Sequence, residues 1–145
     1  VTALVVDTSA IVTAFDEAHP EHEAVARVLR DDDRLLVVSP FIVAEADYML
    51  SSRFGARAAL NFSRDVATGA YELPEWTAED HSTAMDIASR FGSGKDYIGI
   101  ADASNVVLAD RYHTTTLLTL DQRHFRQLAP LWGASSFTLL PFDKD

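Results

Sequence analysis

Cysteine is absent from the 145 residues. That excludes disulfide frameworks, zinc–thiolate sites and thiol nucleophiles, and it fits a reducing compartment such as the cytoplasm. No apolar run approaches the ~18 residues that a membrane helix needs, so no membrane partner is expected. The N-terminus has no basic region followed by a long apolar stretch, so no signal peptide is expected either. Lysine is nearly missing, with only Lys95 and Lys144. Positive charge is scarce altogether: 12 Lys+Arg stand against 22 Asp+Glu, for a formal net charge of −10. Taken alone, that balance argues against broad nucleic-acid binding, because phosphate would be repelled. Repeats, low-complexity tracts and Pro/Gly-rich linkers are missing too, so one domain over residues 1–145 is expected. What is present is 48% hydrophobic and 23% charged residues, the mixture of a globular chain with a real core.

Short apolar strands alternate with helical periodicity along the chain. Strands are predicted over Ala3–Val6, Leu35–Val38, Tyr71–Leu73, Thr115–Leu120 and Phe137–Leu140. Helices are predicted over Ser9–Phe15, capped by Thr8 or Ser9, and over Glu21–Leu29. Ser39-Pro40 opens another, with Ser as cap and Pro at the first position, which Gly55 stops after Phe54. Further helices are predicted over 56–68, from Thr77 or Ala78 to Phe91, from Ile98 or Gly99 to Arg111, and as a turn over Arg123–Leu128. Gly92-Ser93-Gly94 is expected to end the helix that runs to Phe91. Such alternation implies an α/β fold with a mainly parallel sheet covered on both faces.

Four acids sit in unusual company. Asp7 directly follows the apolar Leu4-Val5-Val6, and Asp121 directly follows Leu117-Leu118-Thr119-Leu120. If both strands are parallel, both carboxylates emerge at the carboxyl edge of the sheet, where α/β folds build their sites. Either could equally begin a turn or cap the next helix. Asp102 lies on a helix that is apolar nearly all round, with Ile100, Ala101, Ala103, Val106, Val107 and Leu108. A carboxylate buried there is costly unless paired, hydrogen-bonded or metal-bound. Asn105 shares its face at i+3, so a site and a buried hydrogen-bond network both fit. Glu45 and Asp47 fall at opposite edges of the apolar stripe of their helix, and periodicity does not choose between them. Three or four converging hard oxygen donors suit Mg²⁺ or Mn²⁺, which would offset their mutual repulsion.

The segments VVDTSA (5–10), SPFIVAE (39–45), IADASNVVLADRY (100–112) and LLTLDQRHF (117–125) resemble, in order and separation, the motifs of a PIN domain. More narrowly they resemble a VapC-type ribonuclease toxin of a type II toxin–antitoxin pair. The resemblance runs from the first strand to the last. It implies a PIN-like α/β/α sandwich around a short parallel sheet, and Mg²⁺- or Mn²⁺-dependent endonucleolytic hydrolysis of RNA. Structured RNA, of the tRNA or rRNA class, is its implied substrate. Its implied partners are a cognate VapB-type antitoxin and a second copy of the chain in a homodimer. It also implies Asp7, Glu45, Asp102 and Asp121 as the metal-holding catalytic acids, choosing Glu45 over Asp47. Thr8 or Ser9 matches the hydroxyl position beside the first acid, and Asn105 is a supporting partner. Two other readings compete: a PIN nuclease of RNA maturation or DNA processing, and a non-catalytic module that keeps its acids for stability.

The remaining features are weaker. Residues 111–126 hold three arginines against one acid, whereas residues 16–33 hold seven acids and two arginines. Arg123, His124 and Arg126, close behind Asp121, are therefore candidate RNA phosphate contacts, although ordinary surface charges would look the same. Recognition through such a small local patch is compatible with a net charge of −10. His19-x-x-His22 has metal-like spacing but no supporting ligands. His81 and His113 are expected on the surface, and Trp76 and Trp132 as packing residues. Tyr48, Met49, Phe54 and Phe62 lie on consecutive helices that are mostly core, and excess apolar surface there would suit a partner helix. A phospho-accepting receiver domain is excluded, because it would need paired acids after the first strand and a late-strand lysine.

Overall fold

The computed structural model describes residues 2–91 and 94–145. In chain order its elements are β1 (Ala3–Val6), α1 (Thr8–Ala14), α2 (His22–Asp31), β2 (Leu35–Val37), α3 (Pro40–Phe54), α4 (Ala56–Ala67), α5 (Ala78–Arg90), α6 (Gly99–Arg111), β3 (Thr116–Leu118), α7 (Gln122–Phe125) and β4 (Thr138–Leu140). The strands form one sheet in the order β2-β1-β3-β4, and every pairing is parallel. β1 sits centrally, with Val5 opposite both Val37 and Leu117.

Period-2 alternation divides the apolar strands between two cores. Leu4 and Val6 of β1 pack with α1 to α4, around Ile42, Leu50 and Phe62. Ala3 and Val5 pack on the other face with α5, α6 and Phe125 of α7. The result is the α/β/α sandwich expected of a parallel sheet whose strands are apolar on both sides. Leu4, Leu108, Leu117 and Leu118 are fully buried, each contributing roughly 1.5–3 kcal/mol relative to exposure.

Local chemistry sets several element ends. Ser39 caps α3 by accepting the Phe41 N–H, with Pro40 at the first position. Gly55, at φ +93°, lets the chain turn directly from α3 into α4. Thr77 and Asp80 form a reciprocal capping box at the start of α5.

Three expectations change. The cap position of α1 is Asp7 rather than Thr8 or Ser9, and the Asp7 side chain makes no capping hydrogen bond. Residues 71–73 form only one parallel bridge, from Glu72 to Val37, because the chain leaves β2 after that rung. β3 ends at Leu118, so Asp121 sits three residues beyond the strand rather than directly after it. The expected Gly92-Ser93 helix stop lies outside the described residues. Among those residues, no helix is long and apolar enough to cross a membrane.

Candidate active site

Parallel pairing brings Asp7 beside the end of β3, where the Asp7 N–H donates to the Leu118 carbonyl at 2.9 Å. Alternation along β1 points its side chain to the α6 face. There the Asn105 amide donates to Asp7 Oδ1 at 3.2 Å. The other oxygen, Oδ2, accepts from Ser9 Oγ at 3.0 Å and from Thr119 Oγ1 at 2.9 Å. Those two hydroxyls reach onward: Ser9 Oγ accepts the Leu120 N–H and Thr119 Oγ1 accepts the Asp121 N–H, both at 2.9 Å. Two short side chains thus staple the loop carrying Asp7 to the loop carrying Asp121. Asp7 is buried, and burial pushes its carboxyl up against the lowering pull of the Thr119 and Ser9 hydroxyls, with the Asp121 charge adding to the rise.

Asp102 stands on the first turn of α6, one helical turn before Asn105 and on the same side. Its carboxyl is pushed up to about 7, chiefly by burial and then by the Asp7 charge; the His124 hydrogen bond opposes the rise. Asp121 caps α7 by accepting the His124 N–H at Oδ1, 3.0 Å. Asp121 is therefore a helix cap through Oδ1, and its Oδ2 is left to face the His124 ring. His124 Nδ1 lies 2.8 Å from Asp102 Oδ2 and 3.1 Å from Asp121 Oδ2. Among the described residues, Asp102, Asp121 and His124 each offer one donor atom within 4.8 Å of the others. This acidic cluster can hold a divalent cation, and its hard oxygen donors suit one. Asp7 lies outside that set but close enough for its charge to raise Asp102.

Glu45 is exposed on α3, and so is Asp47, so burial does not separate them. α3 itself is held against α6 by a buried hydroxyl pair, Ser39 and Ser104, 2.7 Å apart. Thr8 Oγ1 and Asn105 Oδ1 are buried without a hydrogen-bond partner. Thr8 therefore makes none of the contacts expected of the motif hydroxyl; Ser9 makes them.

The basic stretch dissolves on folding. Arg111 is bound by Asp80 and by the Glu75 carbonyl. Arg126 donates to both oxygens of Asp143, at 2.7 and 2.8 Å. His124 keeps its Nδ1 on the acids while its side chain stays partly exposed. Arg126 and His124 thus each already have acidic partners. His22 Nδ1 lies 2.8 Å from the Thr13 carbonyl and His19 accepts the Glu21 N–H, which occupies that pair locally. Trp76 packs on Phe41 as expected, whereas Trp132 is 54% exposed and packs only edge-on to His113. Sequence reasoning missed Thr119; its signal was a hydroxyl inside an apolar strand two residues before Asp121.

Residues 4–130 match the PIN domain family model. The chain is 46% identical to Ribonuclease VapC26 of Mycobacterium tuberculosis over 138 residues, covering 95% of this chain and 100% of that protein. Its fold is similar to Mycobacterium tuberculosis VapC20, described as a Sarcin-Ricin loop cleaving toxin, with TM-score 0.74 and 16% identity over 84% of this chain and 92% of that one. It is also similar to a chain of VapBC2 from Rickettsia felis, solved bound to a DNA fragment from their promoter. There the TM-score is 0.62 with 15% identity, covering 88% and 93% of the two chains. With its all-parallel sheet and acids gathered at the sheet's carboxyl edge, the chain belongs to the PIN-domain family and, within it, to the VapC group.

Proposed function

We propose that this protein is a metal-dependent endoribonuclease and the toxin of a toxin–antitoxin pair. One observation carries the reading: three acids from three separate elements, Asp7, Asp102 and Asp121, meet at one sheet edge, with Asp7 buried and Asp102 half-buried at a cost. Burial of uncompensated carboxylates is destabilising, and a site that binds a cation is the natural reason to retain them. The likeness to Ribonuclease VapC26 supports the reaction class.

Asp102 and Asp121 would hold a Mg²⁺ or Mn²⁺ ion, with Asp7 as the third acid beside them. When bound, the cation supplies positive charge against the scissile phosphodiester and acidifies the attacking water. The chain's residues do the positioning. Asn105, Ser9 and Thr119 hold the Asp7 carboxylate in one orientation, and Glu45, exposed on α3, is the fourth acid that the family resemblance implies for orienting or deprotonating water. Water attacks phosphorus, the bond to the 3′-oxygen breaks, and that oxygen takes up a proton, leaving 5′-phosphate and 3′-hydroxyl ends. Arg123, two residues after Asp121 on α7, is a candidate phosphate contact.

The antitoxin reading rests on the α3–α4 pair, where Tyr48 is 72% and Leu60 59% exposed and Phe54 is partly exposed. Apolar side chains displayed on neighbouring helices suit a VapB-type amphipathic partner. The structural likeness to toxin–antitoxin chains from Rickettsia felis and Klebsiella pneumoniae is in keeping with it.

Sequencing RNA 5′ ends after brief expression tests the reaction. A discrete cut in structured RNA that vanishes in Asp102→Asn is expected. Undiminished cutting by that variant, or in excess EDTA, overturns the metal-dependent reading. Growth arrest relieved by a small gene beside this one would establish the toxin role, and its absence would favour an RNA-maturation nuclease.

A further inference from the structure

We propose that His124 is a nitrogen ligand of this metal site and biases it toward Mn²⁺, Co²⁺ and similar transition ions over Mg²⁺. The inference rests on the metal-dependent reading above and goes beyond its four acids.

Position carries the argument. His124 Nδ1 lies 2.8 Å from Asp102 Oδ2 and 3.1 Å from Asp121 Oδ2, and the three donor atoms form one group within 4.8 Å. Donors on adjacent corners of an octahedron with bonds of about 2.1 Å stand about 3.0 Å apart. Both nitrogen-to-oxygen spacings are of that size. A cation could therefore bind all three with little rearrangement of the ring.

The ring is also held there. Asp121 Oδ1 is committed to the His124 N–H, which orients Oδ2 and the imidazole toward each other. The next residue, Phe125, is only 1% exposed and anchors α7 in the core. Swinging His124 outward as part of its helical turn would draw Phe125 out of that core. Two carboxylates already face Nδ1, so only Nε2 is left for any contact with RNA.

Ligand chemistry then sets the preference. Mg²⁺ favours oxygen donors and retains its water, whereas imidazole suits the later first-row ions. Replacing one oxygen by Nδ1 raises affinity for Mn²⁺ and Co²⁺ relative to Mg²⁺. For Nδ1 to bind, the ring proton sits on Nε2.

Pulsed electron paramagnetic resonance of the full chain loaded with Mn²⁺ tests this directly, alongside calorimetric titration with Mn²⁺ and Mg²⁺. We expect ¹⁴N modulation from a directly bound imidazole. It should disappear in His124→Ala and His124→Gln, with Mn²⁺ affinity falling about tenfold and Mg²⁺ affinity changing far less. Mn²⁺ bound to wild type without nitrogen coupling would mean that the ring is only a stand-in for the cation. That result, or an unchanged Mn²⁺/Mg²⁺ ratio in the variants, overturns the inference while leaving the four-acid reading intact. Failure of wild type to bind either ion at these acids overturns both. The wild-type spectrum decides the question even if a variant does not fold.

Discussion

Two sets of acids in this molecule contrast sharply. Asp32, Asp80 and Asp143 lie against Arg34, Arg111 and Arg126, whose hydrogen bonds hold their carboxyls below the usual range, Asp143 at about 2. Burial and neighbouring carboxylates instead push Asp7 and Asp102 up, Asp102 to about 7. The first set contributes stability that is present above pH ~4 and lost as pH falls through the lowered values. The second set opposes it: stability present below pH ~4 is lost as pH rises and the buried carboxylates ionise. The arginines of the first set lie on acids away from the buried Asp7 and the half-buried Asp102. Under the proposed reading, that difference separates a structural carboxylate from one kept for a cation.

Breaking the contrast at its strongest point gives the largest effect. Asp102→Asn should lower RNA cleavage by about a thousandfold or more, removing a donor that acts directly on the reacting centre. The same change should raise the melting temperature of chelator-treated protein at pH 8, because a costly buried charge is gone. A lower melting temperature there would refute the assignment of strain to this carboxylate.

Protons and cation compete for Asp102, so Mn²⁺ affinity should weaken about tenfold between pH 8 and pH 6, as expected for one proton titrating at about 7. Calorimetry across that range checks it, and a flat profile would place the binding elsewhere. Thr119→Val should lower cleavage about fivefold, equivalent to one neutral hydrogen bond of ~1 kcal/mol. It removes a donor to Asp7 and the acceptor of the Asp121 N–H while keeping the shape of the side chain. Unchanged turnover would show that Ser9 alone orients Asp7.

The smallest change belongs to the paired set. Arg34 binds Asp32 and Asp145 together. Arg34→Ala should cost about 1 kcal/mol at pH 7 and less at pH 2, with cleavage unaffected. Loss of cleavage would join the two sets that the structure keeps apart.

Much of this was legible beforehand, for reasons that differ by element. The apolar β1, the Ser39-Pro40 start of α3 and the greasy α6 are local statements, and each appears where its residues predict, whereas β3 forms but stops two residues early. The i,i+3 pairing of Asp102 with Asn105 is likewise helix geometry. Three other features were not local. The bridge at Glu72 depends on where β2 ends. The basic stretch behind Asp121 looked like a patch because sequence does not show that Asp80 and Asp143 fold back onto Arg111 and Arg126. His124 looked like a phosphate contact because nothing in LDQRHF reveals that α6 passes in front of it.

The sequence by itself determined the α/β/α class, the parallel sheet and the acids worth suspecting, since hydrophobic periodicity and the cost of burying charge are properties of short segments. Only the tertiary structure decided which polar groups meet. The Ser9 and Thr119 staple between two loops and the turn of His124 toward Asp102 join residues far apart in the chain. Distances of about 3 Å between such residues are set by strand pairing and helix packing, which no single segment contains.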